Sequence, residues 1–106
     1  MAYRYKFTPL AITDIDDALS YIAGNLSNPS AADNLYRNLN AAIEDICDRP
    51  YSFPDCSYHL IDDENIRHTV IGNYALIFEV SHSENLIKFL RFLYGGMDIS
   101  HQNITS

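Results

Sequence analysis

The stretch Leu86 to Leu93 is apolar at nearly every position, and Arg91 interrupts it. A strand with one wet face alternates apolar and polar residues. A run without that alternation belongs to a central strand covered on both faces, or to one whose second face awaits a partner. An arginine inside it is costly to bury alone and calls for a carboxylate, a carbonyl cage or a groove open to solvent and ligand. The other residues must therefore supply neighbouring strands and at least one covering layer.

Candidates for both are present. Tyr3, Tyr5 and Phe7 alternate with Arg4 and Lys6, the period of a half-buried strand. Thr8-Pro9 reads as a helix N-cap followed by proline at the first helical position. Ile12, Ile15, Leu19, Ile22 and Leu26 then recur at spacings of 3, 4, 3 and 4, an apolar helical stripe ended by Gly24-Asn25. Asp14, Asp16 and Asp17 lie off it, in the first half of the helix, where the macrodipole favours acids. After Asn28-Pro29, Ser30 and Asp33 resemble a capping box. Ala32, Leu35, Leu39, Ala42 or Ile43, and Ile46 continue at helical spacing until Arg49-Pro50 stops them. The two helices form an antiparallel hairpin, and neither can bury its stripe wholly on the other.

Residues 51–64, with Pro54 and the acidic Asp62-Asp63-Glu64, read as an extended loop. Ile66 to Ile71, Tyr74 to Val80 and Leu86 to Leu93 read as strands. Gly72-Asn73 and Ser81 to Asn85 form their turns, so the three make an antiparallel meander. The expected fold is α+β with element order β-α-α-β-β-β: an N-terminal strand, a two-helix hairpin and a three-stranded meander. One domain is expected over residues 1–98, with a polar C-terminal tail over 99–106.

A chain of 106 residues, 47% hydrophobic, can build a core without disulfides or structural metal. No apolar run is long enough to span a bilayer and the first residues lack a signal peptide's apolar centre, so the cytoplasm is the expected location. Cys47 and Cys56 lack metal-finger or C-x-x-C spacing and read as reduced thiols, with Cys47 in the core. The net charge is -7, unevenly distributed: residues 1–64 hold four Lys and Arg against eleven acids, residues 65–106 three against three. A broad basic face for nucleic acid is therefore excluded, whereas a small cationic cleft in the second half is not.

Chemistry-bearing side chains in that half are few. Arg91 reads either as a structural residue paired with an acid such as Glu79 or Asp98, or as a cleft-lining group suited to phosphate or carboxylate. Arg67 opens the second strand, and alternation puts His68 on the opposite face from it. His68 is a conceivable general acid or base, although a satisfied strand histidine is the plainer reading. Tyr74 and Tyr94 sit at strand ends as packing residues or proton donors. His59, His82 and His101 lack metal-ligand spacing, and Asp62-Asp63-Glu64 reads as a solvated charge run. No cofactor fingerprint, phosphate-cradling loop or nucleophile signature is present, so no cofactor or metal is expected.

Several segments together resemble the RelE/ParE toxin superfamily of bacterial type II toxin-antitoxin modules, also labelled plasmid stabilisation proteins. They are Tyr5-Lys6-Phe7-Thr8-Pro9-Leu10-Ala11, Ile66-Arg67, Gly72-Asn73-Tyr74-Ala75-Leu76-Ile77-Phe78-Glu79-Val80, and Phe89-Leu90-Arg91-Phe92-Leu93-Tyr94-Gly95-Gly96-Met97-Asp98-Ile99. The resemblance spans residues 3–98. It implies a growth-inhibiting toxin neutralised by a cognate antitoxin, with a homo-oligomer also open. RelE-like members resemble ribonucleases that cut messenger RNA on the ribosome, whereas ParE-like members are associated with poisoning DNA gyrase. The site residues it carries over are Arg67, Arg91 and Tyr94, with His68 as a further candidate. Gly96 and Met97 stand where the family commonly has a basic pair, and no lysine lies between Arg49 and Lys88. An enzymatic role is thus open and the ParE-like branch favoured, with a non-toxic binding module of the same fold as a further alternative.

Overall fold

A computed structural model describes residues 2–54 and 65–95. Strand β1 (Arg4–Phe7) leads into helix α1 (Pro9–Ser20), which passes without a break into a π-helical turn (Tyr21–Asn25); helix α2 (Pro29–Asp48) and a 3-10 turn (Pro50–Ser52) follow. The meander comprises β2 (Ile66–Ile71), β3 (Tyr74–Ser81) and β4 (Leu86–Tyr94). The sheet order is β1-β4-β3-β2, with the meander antiparallel and β1 parallel to β4. The α+β fold and its element order are as the sequence predicts, and the parallel edge strand is an added detail. The apolar run is indeed the central strand β4, paired on both sides.

Local chemistry sets the boundaries. Thr8 caps α1 by accepting from the Ala11 amide at 3.1 Å, and its hydroxyl donates to the Leu90 carbonyl at 2.9 Å. One side chain thus starts the helix and ties it to the central strand. Asn28, not Ser30, caps α2, accepting from the Ala31 amide with Pro29 at the first helical position. Asp33 pairs instead with Arg37 one turn on, at 3.0 Å. Gly72 turns the β2–β3 hairpin at φ +60°, a left-handed conformation that suits a residue without Cβ.

The sheet covers the hairpin's stripes. Leu35, Leu39, Ile43 and Ile46 of α2 pack with Leu76, Phe78, Val80, Ile87, Phe89 and Phe92, joined by the buried Cys47. Ile66, Ala75, Ile77, Leu90 and Leu93 form a second buried cluster, built from the alternate strand positions. Helix α1 buries a rotated version of its expected stripe: Ala11 and Ala18 are buried, with Ile15, Leu19 and Ile22 packed beside them, while Ile12 and Leu26 are half exposed. Small alanines let the helix approach the sheet closely. The acids also sit differently from expectation. None lies in the first turn of α1, so the dipole does not explain them. The expected 51–64 loop opens as a 3-10 turn whose Phe53 packs edge-on to Phe78 at 6.0 Å. Cys56, His59, Asp62-Asp63-Glu64, Asp98, His101 and the 99–106 tail lie outside the described residues.

Candidate functional site

Beyond Phe89, β4 loses β1 as its neighbour, and α1 takes over that edge. The Thr8 hydroxyl reaches Leu90, and Asp14 accepts from the Phe92 amide at 3.0 Å. A register shift at Ile77/Phe78 leaves Leu90 as an extra residue, so that Arg91 pairs with Ile77 and Phe89 with Phe78. Such a bulge bends the strand and re-aims the next side chain. Asp14 meets that side chain in a two-pronged ion pair, Oδ2 to Nε at 2.6 Å and Oδ1 to an Nη at 3.0 Å. Both side chains are nearly closed off, 12% and 14% exposed. The hydrogen bonds that Asp14 accepts raise the Arg91 pKa above its ordinary value, against the opposing pull of burial.

Arg91 thus takes a carboxylate, as its setting requires, but from α1. Glu79, one of the two acids expected to serve, instead lies 3.9 Å from Lys88, and Asp98 is outside the described residues. A cleft of about 670 Å³ opens beside the pair, between the end of α1 with its π-helical turn and the adjoining ends of β3 and β4. Tyr74 and Phe92 stack within it at 4.8 Å, and Tyr94 meets Tyr74 edge-on at 5.7 Å. Tyr21, Ile22 and Leu26 form the opposite wall. Burial, reinforced by Tyr94 and Tyr21, raises the Tyr74 pKa, so its phenol keeps its proton.

Arg91 and Tyr94 therefore line one cleft, while Arg67 and His68 do not. Arg67 is separated from Arg91 by β3 and serves the turn after α2: an Nη donates to the Phe53 carbonyl at 2.6 Å, and the guanidinium lies over the Tyr51 ring at 4.9 Å. His68 is buried in β2, its backbone amide bonded to the Pro54 carbonyl. The cleft's charges are Arg91 against Asp14 and Asp17, so it is no cationic cradle. No group of His, Cys, Asp and Glu among the described residues could hold a metal ion. Asp14 and Tyr21 were not singled out from sequence. Their link to β4 spans most of the chain and leaves no local periodic signal.

The family described as the ParE toxin of the type II toxin-antitoxin system matches residues 5–99. The chain belongs to the ParE toxin family. Two solved structures share its fold. One, from the chromosomal ParDE toxin-antitoxin system of P. aeruginosa, is 15% identical with a TM-score of 0.67, over 88% of this chain and 96% of that one. The other, from the RelBE2 toxin-antitoxin complex of Mycobacterium tuberculosis, is 16% identical with a TM-score of 0.61, over 89% of this chain and 99% of that one. No curated protein matches. Membership of the ParE family makes the chain a toxin of the type II class, within the RelE/ParE superfamily anticipated from its strand motifs. No helix among the described residues is long and apolar enough to cross a membrane.

Proposed function

We propose that this ParE-family toxin inhibits growth by binding a protein target in the cytoplasm, with DNA gyrase as the first candidate, and that a cognate antitoxin neutralises it. One observation carries the reading: the fork of Arg91 grips Asp14, so the cleft presents aromatic surface in place of an exposed cation. A ribonuclease must hold charge developing on a phosphate, and losing one well-aimed donor costs about 3 kcal/mol, or roughly a hundredfold in rate. A cleft with two acids and one arginine already engaged is poorly equipped for that chemistry. Protein recognition through tyrosines tolerates it.

The RelE-like alternative draws support from the shared cleft of Arg91 and Tyr94, and assigns the tyrosine the role of proton donor. Arg67 and His68 add nothing to it from β2, across β3 from Arg91. The two readings separate in two assays on the purified toxin. Inhibition of gyrase-dependent supercoiling with intact transcripts in a reconstituted translation system is the expected result. Transcript cleavage that Tyr94→Phe slows at least tenfold would establish the ribonuclease instead, and harmless expression in bacteria would leave the binding-module reading.

A further inference from the structure

The protein-binding reading leaves open what kind of segment the cleft takes. Three large side chains on its rim are half exposed, Tyr21 at 51%, Leu26 at 54% and Tyr94 at 50%, above a floor of stacked Tyr74 and Phe92. Tyr21 and Leu26 bracket the π-helical turn, closed by the Leu26 amide on the Tyr21 carbonyl at 3.0 Å. Turns of this kind are rare and concentrate at functional sites, because the wider ring displaces side chains from the ordinary helical rows.

The electrostatics of the same wall are one-sided. Asp17 lines it from an exposed position, and it is not the acid bound to Arg91. The negative end of the α1 dipole points there too. Neither the last turn of α1 nor the π-helical turn carries a basic residue to offset it. The cleft thus pairs an aromatic floor with negative potential at its edge.

We infer that this cleft docks a segment of a partner protein that inserts a bulky apolar or aromatic side chain between Tyr21 and Tyr94 and sets a lysine or arginine beside it against Asp17. The inference rests on the protein-binding reading and adds the chemistry of the bound segment. The aromatic anchor fills the pocket and excludes water, while the adjacent cation fixes its direction and speeds encounter. An acidic segment meets like charge along the same wall and is rejected.

A display library of random 12-residue peptides, selected on the whole protein and counter-selected on Tyr94→Ala, tests this. Cleft-dependent peptides should be enriched in Lys or Arg next to Leu, Phe, Tyr or Trp. Their affinity should fall at least tenfold with Asp17→Lys and weaken with rising salt. Both substitutions are at exposed positions, and unchanged circular dichroism and melting confirm folding. Enrichment of acidic peptides, or indifference of basic ones to Asp17→Lys, would overturn the charge assignment. Failure to recover any peptide sensitive to Tyr94→Ala would overturn docking in the cleft. Neither result touches the gyrase or translation assays, so the function and the segment chemistry fail separately.

Discussion

Arg67 and Arg91 flank β3 at neighbouring register positions, opposite Phe78 and Ile77, yet the fold satisfies them by different means. Arg91 meets an ionised partner that fits its fork and also accepts the Phe92 amide. Arg67 meets a neutral carbonyl and a ring face, and its Nε is buried with no acceptor among the described residues. An arginine in an apolar strand is therefore not by itself a site marker. What distinguishes the two is the partner: a carboxylate from a distant helix turns one into a rigid wall of a cleft, while a nearby turn uses the other as a peg.

Asp14→Ala is the sharpest way to test the contrast. It takes the two-pronged carboxylate from a nearly buried guanidinium and the acceptor from the Phe92 amide, and should lower the unfolding free energy by about 3 kcal/mol in urea denaturation. Asp14→Leu combined with Arg91→Met should recover much of the loss, because no nearly buried guanidinium is then deprived of its carboxylate. Thr8→Ala probes the other tie between α1 and β4. Losing the cap and the donor to the Leu90 carbonyl together should cost about 2 kcal/mol. Arg67→Met should change stability by under about 1 kcal/mol, since the lost carbonyl bond is offset by removal of the orphaned Nε. A cost equal to that of Asp14→Ala would erase the distinction.

The smallest effect is a pH dependence. Tyr74 and Cys47 both have pKa values raised chiefly by burial, from ordinary values of 10.0 and 9.0. The unfolded chain therefore releases these protons first as pH rises. Their stabilisation is complete below about pH 9 and declines through the alkaline range toward the folded-state values. Tyr74→Phe should flatten the upper part of that decline in melting curves recorded between pH 8 and 11.

Local chemistry was the legible part of the sequence. Thr8-Pro9, the period of α2 and the Gly72-Asn73 turn each act within a few residues, so their patterns lie open in the chain. The rotation of α1 was hidden because Ala11 and Ala18 carry little apolar weight yet are the residues that α1 buries. Asn28 displaced Ser30 as a cap because Pro29 is pre-shaped for the first helical position. The site was half legible. The demand of Arg91 for a partner followed from its apolar neighbours, but the identity of Asp14 did not, since the bulge that aims the guanidinium at α1 exists only once β3 and β4 are paired.

The parallel pairing of β1 with β4 gives this toxin a built-in delay. During synthesis at roughly 5–20 residues per second, about 80 residues separate the appearance of the first strand from that of its partner, an interval of roughly 4–16 seconds. Asp14 waits through the same interval for Arg91. The cleft therefore has only its helical wall until β4 has been made.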